Sequence, residues 1–416
     1  MSSSHQTSID QRGAASVGIA SIVAAASGLL VLLAATRVLT IAENALFLTF
    51  WSLLFAMFGL LGGVQHETTR AVRNSPSLPA DALAKNPRTL PTGLLIGAAL
   101  ATVLGATSPA WAPALFDEHQ GALVAAICIG VVAFAGHSTL AGSLSGLGRW
   151  GTYSWLVGAE AGGRLVLVTI AVLLSGGLFG IEVASAVAAA MWVLLLVARR
   201  DVRTAAAARA DAPTPIYLRR IGQAMIAAAA TATIVVGFPV VLKLTTETQV
   251  YVTAAPLLVA ISLTRAPLLI PLTSYQGVAI THFLDHRERG LSILARSGGA
   301  ILGVAVVGAG LAALVGPWLM DAVFGDDYRV SSLLLAGLTL TAGLLAVLTL
   351  SGAAVLALGH HGAYAGGWFV ASAVTLLTLF LPLSLEVRAT VSLASGPVAG
   401  ILCHTLWLAR TSRANR

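Results

Sequence analysis

Charge is scarce in this 416-residue chain: Asp, Glu, Lys and Arg together make up 10% of it. Cysteine is scarcer still. Cys128 and Cys403 both sit in apolar stretches, so they read as small helix-packing residues and not as a disulfide or a metal site. Two lysines stand against 22 arginines. No Gly-rich loop ends in Gly-Lys-Ser/Thr, so no phosphate cradle is available and ATP is excluded as the direct energy source. No His, Cys and acid cluster has ligand spacing, and His360-His361 reads as a polar turn. These absences predict a protein that is not an enzyme and carries no cofactor.

What the chain has in abundance is apolar length. Hydrophobic residues are 57% of it and the mean hydropathy is +0.88. A helix crosses a bilayer core of about 30 Å with roughly 20 apolar residues. Such stretches recur over 15–36, 44–65, 91–114, 121–146, 153–175, 179–198, 221–242, 250–273, 297–320, 331–357, 363–384 and 389–409. The expected fold class is therefore all-α, a polytopic membrane protein of about 12 transmembrane helices.

The loops sort by charge. Placing the spans as above puts eighteen basic residues on one side, among them Arg70, Arg73, Arg149, Arg199, Arg200 and Arg220. The other side has Arg37, Lys243, Arg329 and Arg388, with Asp117, Glu118, Asp326 and Asp327 as acids. Positive charge collects on cytoplasmic loops, so both termini are expected in the cytoplasm of a bacterial inner membrane. The net charge of +7 then marks topology and excludes nucleic acid as the partner. Met1–Gly13 is polar and runs straight into the first span, which fits no cleavable signal peptide.

A weak internal repeat divides the chain. Gly148-Arg149-Trp150-Gly151-Thr152-Tyr153 returns as Gly359-His360-His361-Gly362-Ala363-Tyr364 after 211 residues, Gln65 returns as Gln276 at the same offset, and Phe116-Asp117-Glu118 matches Phe324-Gly325-Asp326 after 208. The expected organisation is an N-terminal six-helix bundle over 1–198, a cytoplasmic linker over 199–220 and a C-terminal six-helix bundle over 221–416. Six spans per half is even, so the repeat is parallel, with a cavity expected between the halves.

Two large superfamilies have such a six-plus-six design. The major facilitator type carries a Gly-x-x-x-Asp-Arg-x-Gly-like loop after its second span, whereas this chain has Val64–Arg73 there. Arg37-Val38-Leu39, Asn44–Phe47, Gln65–Arg70, Ala141-Gly142 through Gly148-Arg149, Thr264-Arg265-Ala266-Pro267, Phe324–Tyr328 and Leu356–Gly359 together, across the whole chain, give it another likeness. In that order they resemble the multidrug/oligosaccharidyl-lipid/polysaccharide (MOP) flippase superfamily, specifically its polysaccharide-biosynthesis, O-antigen-flippase-like branch. The resemblance implies alternating access, a lipid-linked oligosaccharide as substrate, membrane lipid as partner and H+ or Na+ as a possible coupling ion. It also implies that Arg37 points into the central cavity.

Charges inside spans are expensive and face a bundle interior or a wet cavity. Here they are Glu160 and Arg164 in span five and Arg265 in span eight, with Arg37 and Lys243 at the outer ends of spans one and seven. Glu160 is the only acid placed deep in a span. Four residues from Arg164, it shares a helix face with it, and the two make either a structural ion pair or a tuned binding group. His137 and His404 are each either a packing residue or a proton relay. Arg37 is either an interfacial anchor or a cavity cation. Guanidinium groups hold phosphate in bidentate fashion and keep their charge when desolvated. The expected substrate-binding set is therefore Arg37, Arg164 and Arg265 on a polyprenyl diphosphate, with Glu160, His137 and Lys243 as candidates for coupling or tuning. The expected function is a flippase for a cell-envelope polysaccharide precursor. The alternative is a proton- or sodium-coupled small-molecule or drug antiporter.

Overall fold

A computed structural model describes residues 11–265, 290–358 and 360–414. Ala266, Pro267, Gln276 and Gly359, named above, lie outside the described residues. Nine helices are long and apolar enough to cross a membrane among the described residues, and a bent pair makes a tenth such span. The shorter apolar helices Ala255–Arg265 and Gly362–Thr378 fall at the expected eighth and eleventh positions. The chain is all-α, as its recurring apolar runs of span length predict. In hydrocarbon every backbone N–H and C=O needs an internal partner, which a helix supplies from its own backbone.

Contacts divide the chain into two compact units. The first takes residues up to Val38 and Phe50–Ala232; the second takes Leu39–Thr49 and Thr233 onward. The first unit is built from α1 (Gln11–Val38), most of α2 (Ile41–Asn74), α3 (Ala80–Lys85), α4 (Thr89–Leu115), α5 (Gln120–Gly146), α6 (Trp150–Leu173), α7 (Gly177–Val187), α8 (Trp192–Ala198), α9 (Arg200–Ala206) and nearly all of α10 (Thr214–Val235). α5 is its most enclosed helix, lying against α4, α6 and α7, while α1 lies along α6. Small residues let these backbones approach. A Cβ on Gly142 would meet Gln65 O at 2.6 Å and Thr68 Cβ at 2.8 Å on α2, so only glycine fits that crossing.

The second unit holds the start of α2, then α11 (Phe238–Leu244), α12 (Thr248–Tyr251), α13 (Ala255–Arg265), α14 (Gly290–Phe324), α15 (Ser332–Ala357), α16 (His361–Thr378) and α17 (Leu385–Ala414). Here α15 is the enclosed helix, packed by α14 and α17. It begins and ends about 211 residues after α5, the offset of the sequence repeat. α14 presents apolar side chains outward, Leu314 being 82% exposed, as a lipid-facing helix must. His404 bridges three helices of this unit: its Nδ1 lies 2.8 Å from Ser351 Oγ and its Nε2 3.2 Å from Tyr364 O. With both ring nitrogens engaged, His404 is a packing residue.

The segment 199–220 is folded onto the first unit. Arg88 and Arg209 form an antiparallel bridge, and Thr89 N donates to Ala208 O while Ala210 N donates to Pro87 O. Arg70 pairs with Glu67 and, in bidentate fashion, with Asp211 at 2.8 and 2.9 Å. Arg149 pairs with Asp201, which also accepts from Thr152. Short side-chain and backbone bonds of this kind fix the path of the segment at both ends.

Candidate functional site

A buried charge needs a partner, so the intramembrane ions locate the site. On α6, Glu160 and Arg164 are 7% and 5% exposed and form an i,i+4 ion pair. The Arg164 guanidinium carbon also lies 4.5 Å from the Phe55 ring centroid and 5.5 Å from that of Trp51, both on α2. This is cation–π distance, worth about 0.5–2 kcal/mol per contact depending on desolvation. The two rings stack on one another at 4.5 Å.

From there the aromatic contacts continue inward. Phe55 meets Phe58 at 5.4 Å, Phe58 stacks on Phe134 at 3.9 Å, and Phe134 stacks on His137 at 5.0 Å. Trp51, Phe55 and Phe58 are spaced i, i+4, i+7 on α2, and Phe134 and His137 are i, i+3 on α5, so each helix contributes one face. Phe58 and His137 are buried, while Trp51, Phe55 and Phe134 keep partial exposure. His137 Nδ1, Ser138 Oγ and Arg164 Nε make no hydrogen bond and retain the capacity for one. A cation, its counter-ion and a strip of ring faces thus share one patch of the first unit.

The other expected residues sit elsewhere. Arg37 is exposed on the last turn of α1. Ser16 with Ser154 and Ser27 with Ala161 show that α1 and α6 run parallel. At 1.5 Å rise per residue, Arg37 lies roughly 10 Å further along the axis than Arg164. In the second unit, Lys243 is 5% exposed and its Nζ lies 5.0 Å from the Tyr251 ring centroid. Tyr251 Oη lies 2.7 Å from Thr49 Oγ1 and donates to Pro239 O at 3.1 Å. Arg265, 7% exposed, donates from Nη1 to Ile234 O at 3.1 Å and Val235 O at 2.9 Å. Among the described residues no carboxylate pairs with Lys243 or Arg265.

Two features escape a reading of the sequence alone. One is the aromatic ladder, whose signal was the Trp51, Phe55, Phe58 spacing in a chain only 6% aromatic. The other is Glu182 on α7, a buried acid at 2% exposure. No hydrogen bond or ion pair reaches its carboxylate among the described residues. Among those residues no group of three His, Cys, Asp or Glu side chains could hold a metal ion.

Comparison with known proteins places the chain. Uncharacterized protein Rv3630 of Mycobacterium tuberculosis H37Rv is 38% identical over 397 residues, 95% of this chain and 92% of that one. Uncharacterized protein Rv1510 of the same organism is 37% identical over 398 residues, 95% and 91% of the two chains. This chain belongs to their family. No family model matches the sequence. Among solved structures, an inward-facing multidrug resistance MATE family transporter of the MOP superfamily superposes with a TM-score of 0.69 at 13% identity, covering 96% of this chain and 95% of that one. A MOP superfamily transporter from Pyrococcus furiosus, described by a reverse polarity of its binding pocket, gives 0.69 at 14% identity over 97% and 96%. This chain therefore has the fold of the MATE transporters.

Proposed function

We propose that this family member is a flippase exporting a polyprenyl-diphosphate-linked oligosaccharide across the bacterial inner membrane by alternating access, with both termini cytoplasmic. The observation that carries the reading is the Arg164 guanidinium lying on the Trp51 and Phe55 rings with Glu160 as its counter-ion. A diphosphate offers oxygens that match a guanidinium edge, and sugar C–H faces pack on aromatic rings. Arg164 is the primary anion group in this reading, and Arg37, exposed about two turns further on, meets the substrate on its way through. Glu160 holds Arg164 while no anion is bound, and the diphosphate displaces it. The inside-negative potential favours outward movement of negative charge. Arg265 is engaged through Nη1 by two carbonyls of its own unit, and in this reading its part is to hold the helix end and not the diphosphate.

A proton- or sodium-coupled small-molecule antiporter is the second reading, and Glu182 favours it. A buried carboxyl without a fixed cation is the kind of group a coupling ion addresses. The deciding assay is reconstitution into liposomes with a fluorescent polyprenyl-diphosphate oligosaccharide, scoring movement between leaflets. Protein-dependent movement is expected, falling at least tenfold in Arg164→Lys, which keeps the charge but loses the planar fork. Absence of movement under several lipids and ion gradients, together with drug-stimulated cation flux that Glu182→Gln removes, would replace the flippase by the antiporter.

A further inference from the structure

The seventh span is broken. α10 ends at Val235, α11 opens at Phe238, and the two are bent by 70°. The cause is local. A continuous helix would bond the N–H of residue 238 to Ile234 O and the N–H of residue 239 to Val235 O. Residue 239 is proline, which has no N–H and whose ring collides with the carbonyl four residues back. Gly237, just before it, turns the chain at little steric cost. The break therefore strips two carbonyls of their donors inside a membrane-spanning segment, where an unmet carbonyl is costly.

Ile234 O and Val235 O are the two carbonyls that Arg265 reaches, with one nitrogen serving both. The guanidinium also stands at the C-terminal end of the 22-residue α10, where the helix carries about half a negative charge. That accounts for a buried arginine with no carboxylate partner among the described residues. The position is a special one in the chain: the passage from the first compact unit to the second falls at Ala232–Thr233, within a turn of the break.

We propose that Arg265 is the latch of this broken span, a positioning residue whose guanidinium replaces the amide hydrogen that Pro239 lacks and so fixes the bend. Its role is independent of which substrate is carried. Loss of the side chain frees the two carbonyls and loosens the bend. Supplying an amide hydrogen at residue 239 makes the latch dispensable, because Val235 O then has an intrahelical donor and the helix runs on.

The test labels the full chain, reconstituted in nanodiscs, with spin labels at Ile226→Cys and Leu244→Cys, both exposed sites, after Cys128→Ala and Cys403→Ala. A 70° bend shortens the separation by roughly 5 Å relative to a straight helix at 1.5 Å per residue. The parent is expected to show one narrow distance at the bent value. Arg265→Ala broadens the distribution and lowers the unfolding midpoint by several degrees, while Arg265→Lys, which still donates, keeps the narrow distance. Pro239→Ala added to Arg265→Ala recovers the midpoint and moves the distance out by about 5 Å. An Arg265→Ala distribution as narrow as the parent, at the same distance, would overturn the proposal. So would a Pro239→Ala change that leaves the Arg265→Ala midpoint where it was. If Arg265→Ala does not fold, recovery of folded protein in the double variant supports the latch, and failure to recover any overturns it.

Discussion

Arg164 and Arg265 are both buried arginines in spans of one chain, and their surroundings are opposites. Arg164 has a carboxylate one helical turn away and two aromatic faces beneath it. Arg265 has two backbone carbonyls and, among the described residues, no acid. The first is held by side chains, so its release would unravel no helix. The second is held by groups whose release would leave a helix end bare. A buried guanidinium is thus readable as ligand-exchanging or as structural from what it touches, and burial alone does not separate the two.

The largest effect should come from breaking the first arrangement. Arg164→Ala leaves the Glu160 carboxylate buried without its partner, and removing one member of such a pair costs about 3–5 kcal/mol. Unfolding in detergent, followed by temperature or denaturant, measures it. Replacing both members, as Glu160→Leu with Arg164→Met, should return most of that stability while leaving transport abolished, because similar-volume apolar pairs are often neutral in place of a buried ion pair. A double variant that stays as unstable as Arg164→Ala would mean that the pair is bound into a wider network. Arg164 and Arg265 share no partner, so combining Arg164→Ala with Arg265→Ala should add within roughly 0.5 kcal/mol.

The aromatic floor sharpens the same contrast with a smaller effect. Phe55→Leu keeps an apolar side chain and removes the ring face under Arg164, so stability should fall by about 0.5–2 kcal/mol. In the proposed flippase the loss in transport should exceed the loss in stability, since the ring also faces the sugar. The equivalent change at Phe369, an exposed aromatic of the second unit, should leave transport within twofold. Equal losses at Phe55 and Phe369 would remove the ring ladder from the site.

How much of this was legible beforehand follows from what periodicity carries. The helices were, because uncharged runs of span length leave little other choice for a backbone in lipid. The Glu160–Arg164 pair was legible too, since i,i+4 spacing is a property of one helix. The contacts of Arg164 with Trp51 and Phe55 join α6 to α2 across more than a hundred residues, and no local pattern encodes that. The sequence puts Arg265 among the expected substrate-binding cations; the carbonyls it reaches lie some thirty residues back in the chain, where no local pattern points to them. Pro239 carried the clue, as a proline inside an apolar span demands a donor from elsewhere. Glu182 escaped because it lies close to the start of its span, where a charge costs less and draws less notice.

Arg37 provides the mildest perturbation and the cleanest reading. It is exposed on the last turn of α1, where a cation gains about 0.3–1 kcal/mol from the helix end. Arg37→Gln forfeits that helix-end gain of about 0.3–1 kcal/mol. A transport loss much larger than that, in a variant that inserts and unfolds like the parent, assigns Arg37 to the substrate path. The loss should also shrink as salt rises, because an exposed charge is screened over about 10 Å at 0.1 M ionic strength. The Arg164→Lys defect should be indifferent to salt, since its cation is buried under two rings. If both defects respond to salt alike, the two arginines share one solvent-exposed surface and the distinction between an outer and an inner anion group falls.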